Sequence, residues 1–431
     1  EIMPSLVGSE MCIRDRLRSI DRGPKRRKIM NKPKDEPGLQ TILSHCGRNL
    51  EASGGYVNVP PYEGSTIIHD DMDDLFGRVD NHLYGDGTAR TYGTDGGPTH
   101  EAFYEAMNKL EGGVGTWAFS TGLAGCTIPM MAFLKTGDHM LVTDSVYGPT
   151  RQFCEVLLKN FGVEAEFYGP TIGAGIEGLI RPNTRLIYME SPGTHTFEMQ
   201  DVPAIAAVAR RHDVVTMIDN TYATPINFQP LKHGVDVVVH SATKYICGHS
   251  DVLMSTVTCN EKTWRQVRSV CKKTGQYASA QSVYLGLRGL HTLKVRLDAV
   301  GAHTRMVVDW LLKREEVKKV IWPAYEKDPG YPIYKRDFSG PIGLFAFQFQ
   351  NHFTDVQINR FMDSLKLFGL GYSWGGFESL ILRSYGKRSE GDPKIMRTMI
   401  RVYIGLEDPQ DMIDDLDEAM TKMRDAKYIG K

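Results

Sequence analysis

Short apolar runs at residues 139–143, 185–189, 214–218 and 235–240 recur between helical stretches, and each ends in polar residues. The runs are too short to be core helices. They are also apolar throughout rather than alternating, the texture of strands buried on both faces. Helix signals fill the gaps. Residues 101–110 place Ala102, Phe103, Ala106, Met107 and Leu110 on one side and stop at Gly112-Gly113, and Asp201 with Pro203 opens a helix running to about Arg211. Strand and helix in alternation dictate an α/β fold, a mostly parallel sheet with helices on both faces. Residues 117–119 add a further short strand. Near residue 280 the texture changes: 282–312 reads as one or two long helices, 344–350 and 400–404 as strands, and 409–424 as an amphipathic terminal helix. A smaller C-terminal α+β domain over 291–431, beside a large domain over 95–290, is the expected organisation.

Composition enters as a set of exclusions. With 431 residues, 41% of them hydrophobic and 24% charged, the chain is not disordered as a whole and has room for a well buried interior. A net charge of −1 gives no global attraction to nucleic acid or anionic membrane. The balance is uneven: residues 1–36 carry 10 basic and 6 acidic side chains, which leaves the remainder at −5. Asp15 and Asp21 interrupt the basic cluster, unlike a transit peptide, so a solvated tail is expected. Its residues 4–16 resemble translated sequencing adapter, and Met30 is the expected start. Seven cysteines without CxxC spacing suggest neither a zinc site nor a disulfide framework, and point to a reducing cytoplasm. Residues 112–134 hold no charge over 23 positions, but Ser120, Thr121, Gly122, Gly125, Thr127 and Pro129 fit a buried strand and helix better than a membrane span.

In parallel sheets, ligands bind at the carboxyl ends of strands. The runs lead there into Asp219, into Ser241-Ala242-Thr243-Lys244, into Asp144-Ser145-Val146-Tyr147, and into Ser120-Thr121-Gly122. Singly each has an ordinary explanation, such as a turn cap, a surface amine, packing or a helix cap. Together they match pyridoxal phosphate, whose chemistry needs a lysine to hold it, an acid against its ring nitrogen and a phosphate site. Gly122 and Leu123 at a helix N-terminus offer amides to a phosphate, and Ser241 and Thr243 add hydroxyls. Asp219 suits the ring nitrogen, Tyr147 the ring face, and Lys244 the covalent and proton-transfer roles.

The run Ser241-Ala242-Thr243-Lys244-Tyr245-Ile246-Cys247-Gly248-His249-Ser250-Asp251 resembles the cofactor-lysine signature of the cystathionine/methionine-metabolism group of pyridoxal-phosphate enzymes. The segments Asp219-Asn220-Thr221-Tyr222-Ala223-Thr224-Pro225, Asp144-Ser145-Val146-Tyr147-Gly148-Pro149-Thr150 and Arg401-Val402-Tyr403-Ile404-Gly405-Leu406-Glu407-Asp408 are similar to three more blocks of that group, and the likeness extends over roughly residues 40–425. It implies a fold type I enzyme in which Lys244 is the cofactor lysine and Asp219 the ring-nitrogen partner. Tyr147 is the stacking ring, and Arg401 clamps the substrate carboxylate. It also implies that residues 37–94 reach a neighbouring subunit, where Tyr92 meets the cofactor phosphate and assists catalysis. A homodimer or homotetramer with shared sites follows.

Tyr372-Ser373-Trp374 carries a Trp where γ-acting members have a smaller aliphatic residue, and this form resembles the bacterial β-lyases. Glu190-Ser191-Pro192-Gly193-Thr194 likewise lacks the Asn-Pro of many γ-acting members. The implied reaction is cleavage of an amino-acid thioether, L-cystathionine, to homocysteine, pyruvate and ammonia, with Tyr372, Ser373 and Trp374 lining the substrate site. Simple core filling by Trp374 is the alternative. A γ-acting enzyme, a cysteine desulfhydrase and a non-catalytic binding protein with a nucleic-acid-binding tail also remain open. Two departures stand out. Thr94 occupies a position where the group carries Arg, with Arg90 a possible substitute, and Lys272 sits where β-lyases carry an aromatic residue.

Overall fold

The computed structural model describes residues 37–51, 53–84, 89–384, 388–389 and 398–425; the basic segment 1–36 lies outside them. The chain divides into Glu1–Ile42 and Leu43–Lys431. Of the first unit only residues 37–42 are described, where the helix Leu39–His45 begins.

Seven strands build the larger sheet: β1 (Gly115–Phe119), β2 (His139–Thr143), β3 (Glu164–Tyr168), β4 (Thr184–Glu190), β5 (Val215–Asp219), β6 (Val237–His240) and β7 (Ser255–Cys259). Their order is β1-β7-β6-β5-β4-β2-β3, and β7 alone runs against the rest. The continuous apolar runs have their explanation here, because both faces are covered. Trp117, Phe119, Met140, Val142, Leu186, Tyr188, Met217, Val237, Val239 and Val257 join one buried cluster, while Ala118, Leu141, Ile187, Ile218 and Val238 on the alternate positions are buried too. The uncharged stretch 112–134 forms β1 and the short helix Gly122–Thr127. No helix among the described residues is long and apolar enough to cross a membrane.

A second sheet has β8 (Val317–Ile321), β9 (Leu344–Phe349), β10 (Gly369–Leu370), β11 (Leu380–Arg383) and β12 (Met399–Tyr403) in the order β10-β11-β12-β9-β8. Between β7 and β8 in the chain lies one long helix, Ala280–Leu311, started by Ser279 accepting the Ser282 amide. The stretch expected as one or two helices stays whole because its glycines serve packing. A Cβ on Gly289 would lie 2.1 Å from the Ile246 carbonyl oxygen and 2.7 Å from that of Cys247. Two turns on, the buried Arg296 donates through Nη2 to the Gly289 and Ile246 carbonyls (2.8 and 3.4 Å). The helix thereby pins the loop that follows β6, whose own bonds Lys244 N to Ser241 O (3.0 Å), Cys247 N to Ala242 O (2.8 Å) and Gly248 N to Lys244 O (2.8 Å) coil it into tight turns. Farther along, the helix packs on β8 and on the terminal helix Pro409–Asp425, so one rod links the loop after β6 to the second sheet.

Gly289→Ala tests this pin. Alanine improves helix propensity by roughly 1 kcal/mol, but the added methyl enters occupied space, and such overpacking costs about 1–3 kcal/mol. The urea midpoint of the variant should fall; a midpoint at or above that of the parent contradicts the close approach.

Candidate active site

Because six strands run the same way, their carboxyl ends meet at one edge of the sheet. Asp219 closes β5 beside Glu190 of β4, its partner in register. The two oxygens of Asp219, which is 8% exposed, differ in their surroundings. Oδ1 accepts the Thr221 amide (2.9 Å) and the Thr221 hydroxyl. Oδ2 receives only a long contact from the Cys126 thiol (3.5 Å), a weak donor, so it keeps its capacity for a strong N–H donor.

Lys244 follows β6 in the coiled loop, and its Nζ donates to Ser373 Oγ at 2.7 Å. Burial first, and then the Arg401 charge, lower this amine from its ordinary range to about 8, against the opposing pull of Asp219. Arg401 comes from β12 of the other sheet, between Leu382 and Ala346 in register, and donates through Nη2 to the Ser373 carbonyl (3.3 Å). Burial pulls its guanidinium down to about 10, which leaves it cationic at neutral pH.

Ser373 therefore touches both cationic groups, the lysine by its hydroxyl and the arginine by its carbonyl. It does so from a left-handed backbone conformation, φ +88°, costly for a residue with a Cβ. Gly375 allows the segment to lie so close: at φ +82°, a Cβ there would sit 2.7 Å from the Tyr245 nitrogen and 2.8 Å from the Lys244 carbonyl carbon. Trp374 stands beside the amine, its ring centroid 5.6 Å from Nζ, and is held edge-on by Tyr245 at 5.4 Å and tilted against Tyr222 at 6.5 Å. It is half-buried, packed on one side and turned to the lysine on the other. Tyr372 is 71% exposed on the rim, near enough to act on the Arg401 charge.

The remaining expected residues fall into place unevenly. The first-turn amides of Gly122 and Leu123 have no carbonyl four residues back within their helix, while Thr121 Oγ1 caps Ala124 N at 3.2 Å. A Cβ on Gly122 would meet Ser241 Oγ at 2.6 Å, so the helix start and the lysine loop form one cradle. The Thr243 hydroxyl donates to Met254 O (3.2 Å) and accepts from Met254 N (2.9 Å), while Ser241 Oγ stands at the cradle. Tyr147 is partly exposed, and burial and then the charges of Cys126, Asp219 and Glu190 raise its phenol. Tyr92 stands apart, 54% exposed, with its backbone bridged to Thr66.

Two residues of the site escaped the sequence reading. Glu190 accepts the Tyr147 amide (2.7 Å) and the Thr194 hydroxyl, so it fixes the backbone beneath the Tyr147 ring. Burial first and the Asp219 charge second raise its carboxyl to about 8. The strand-end rule that found Asp219 applies equally to Glu190. His195 has no such signal. It sits in a loop at φ +67°, and burial and then Arg401 lower its imidazole to about 4.

These groups fit pyridoxal phosphate. Asp219 Oδ2 is open to a protonated ring nitrogen, Lys244 is a desolvated amine, the Gly122 cradle offers donors to a phosphate, and Tyr147 is available to a ring face. Among the described residues no cluster of His, Cys, Asp and Glu is arranged to hold a metal ion.

Comparison with known proteins agrees with this reading. The model of a family described as Cys/Met metabolism PLP-dependent enzyme matches residues 40–421. A putative cystathionine beta-lyase of Rhizobium johnstonii is 43% identical over 88% of this chain and 95% of its own. The cystathionine beta-lyase MetC of Escherichia coli is 37% identical over 89% of this chain and 98% of its own. The crystal structure of metB from Corynebacterium glutamicum superposes with a TM-score of 0.81 at 29% identity, over 89% of this chain and 98% of that one.

The electrostatics predict how Lys244 titrates. Capture of added pyridoxal phosphate by the cofactor-free protein should accelerate as pH rises through about 8, where the amine loses its proton. Arg401→Gln removes a cation and should raise that midpoint; Asp219→Asn removes an anion and should lower it. A midpoint near 10.5, the ordinary value for lysine, contradicts the desolvated site.

Proposed function

As a member of the Cys/Met metabolism PLP-dependent enzymes, whose family model spans nearly the whole chain, this protein takes pyridoxal phosphate as cofactor; we propose that it is a carbon–sulfur β-lyase cleaving L-cystathionine. Water enters, and homocysteine, pyruvate and ammonia leave. The observation that carries the reading is the bridge at Ser373, which sets the Lys244 amine and the Arg401 guanidinium on either side of one residue. An α-amino acid has its carboxylate and its α hydrogen on the same carbon. A clamp for the first beside a base for the second is what its deprotonation needs. The Trp374 ring against Lys244 and the names of the relatives support β rather than γ cleavage.

When bound, the cofactor supplies an electron sink conjugated to the substrate α carbon. The chain's residues do the rest. Asp219 holds the ring nitrogen's proton through Oδ2. Arg401 binds the substrate carboxylate with its fork, and its burial strengthens the attraction. Lys244 would hold the cofactor through Nζ, and the same atom is the base that takes the α proton; the depressed amine pKa suits both duties. The Ser373 hydroxyl 2.7 Å away gives Nζ a fixed partner. Loss of the β thiolate as homocysteine leaves a three-carbon fragment that water converts to pyruvate and ammonia.

The site is shared between two copies of the chain in this reading, as a homodimer or a pair of dimers. Tyr56, Val57, Ile68, Met72 and Phe76 are each more than half exposed on the segment that leads to Tyr92. Apolar side chains gathered in this way suit contact with a second copy, and Tyr92 then serves the neighbouring phosphate. The six described cysteines are buried free thiols, which suits a reducing cytoplasm.

Purified protein incubated with L-cystathionine should release pyruvate. 2-Oxobutyrate in its place means γ cleavage and overturns the assignment. Lys244→Ala should abolish turnover; survival of catalysis means another group is the base. Arg401→Gln should raise KM for cystathionine by roughly tenfold or more, the loss of a charged hydrogen bond. An unchanged KM removes the clamp.

A further inference from the structure

The two departures noted in the sequence, Thr94 and Lys272, meet in the fold. Lys272 lies in the last turn of the helix Glu261–Lys273, and its Nζ reaches Asp95 Oδ1 at 3.0 Å and His82 Nδ1 at 2.8 Å. Asp95 is the residue after Thr94, and its side chain is 6% exposed. Its other oxygen, Oδ2, accepts the Thr91 amide (2.8 Å), the Thr91 hydroxyl (3.0 Å) and the Tyr92 amide (3.2 Å). The carboxylate is thus the hub of the turn that carries Tyr92. Burial alone would raise its pKa, yet the bonds from Thr91 and Lys272 hold it below the ordinary value. Arg90 does not replace the missing cation, because its guanidinium donates to Glu101 (Nε 2.8 Å, Nη2 2.6 Å).

We propose that Lys272 is a positioning residue for the cofactor phosphate. Through Asp95 it locks the turn 91–95, so that the exposed Tyr92 side chain leaves the subunit in one fixed direction. A cation at residue 94 would attract the phosphate directly; here the positive charge lies one layer behind and acts by holding the tyrosine in place. The Lys272 amine is enclosed, with 16% of its side chain exposed, and already paired, so its contribution is rigidity rather than charge at the phosphate. An aromatic residue at 272 would leave the buried Asp95 with His82, whose Nδ1 lies 3.3 Å from Oδ1, in place of the full lysine charge, at a cost. This inference rests on the reading of Tyr92 as a phosphate ligand of the neighbouring subunit.

Cofactor-free wild type, Lys272→Met, Lys272→Arg, Tyr92→Phe and the double variant K272M/Y92F are titrated with pyridoxal phosphate, following the bound-cofactor absorbance. Assembly is checked by size exclusion. K272M should weaken the affinity roughly tenfold, K272R should recover most of it, and the double variant should bind no more weakly than the weaker single one, since both changes remove the same contact. Wild-type affinity in K272M, losses that multiply in the double variant, or failure of arginine to restore binding in an assembled protein each overturn the proposal. If K272M does not assemble, Asp95→Asn, which keeps the side-chain volume, carries the same expectation of tenfold weaker binding and the same reverse. The underlying reading is tested separately by Y92F. Unchanged affinity there removes Tyr92 from the phosphate site and this proposal with it, whereas weakened Y92F beside unchanged K272M defeats the proposal alone.

Discussion

A primary amine withdrawn from water, with a carboxylate drawing it toward the charged form and a guanidinium pushing it away, is the constraint around which this protein is built. An unrestrained lysine would swing into solvent and regain its ordinary basicity. Lys244 is kept from doing so by contacts on its own backbone. On one side the Gly289 turn of the helix Ala280–Leu311 lies against the Ile246 and Cys247 carbonyls, and Arg296 ties that helix to the loop. On the other, Gly375 packs on the Lys244 carbonyl carbon. A short tether held from both sides lets the side chain point at Ser373 and the site rather than at water.

The division of labour between the two sheets follows from that tether. The parallel sheet supplies Asp219, Glu190, Tyr147 and the helix start at Gly122 from strand ends, where their backbone is rigid. The second sheet supplies Arg401, and the segment before β11 supplies Ser373 and Trp374. In the proposed reading, neither sheet alone holds both the amine base and the carboxylate clamp. On that reading the relative placement of the two matters for catalysis, and the helix Ala280–Leu311, which packs on the lysine loop and on β8, links them. The raised carboxyl of Glu190 belongs to the same economy of charge: burial and then the Asp219 charge oppose a second anion there, while the group holds the Tyr147 amide.

The strand-end residues were legible in the sequence because parallel strands buried on both faces leave their polar residues only at the ends, and Asp219, Tyr147, Gly122 and the Lys244 loop all obey that rule. Glu190 obeys it as well and was passed over, since its segment drew notice for what followed it. The bonds of the Thr243 hydroxyl to the Met254 backbone were not legible, because a hydroxyl so near the lysine in sequence has several partners within reach and only the fold shows which it meets. His195 lacked any signal, being a loop histidine whose environment comes from Arg401 on a distant strand. The same holds for the contact between Lys272 and Asp95, which depends on a helix end meeting a turn from the other end of the domain. Local pattern reveals what one element positions, and it is silent where two elements meet.

The central claim is that Lys244, and no other of the chain's lysines, is the amine that holds the cofactor. The most direct measurement is borohydride reduction of the purified protein with bound pyridoxal phosphate, followed by peptide mass spectrometry. The account predicts one reduced pyridoxyl group per chain, on the peptide containing Lys244. The same mass on a peptide from elsewhere in the chain, or its absence from the Lys244 peptide in active protein, would contradict it.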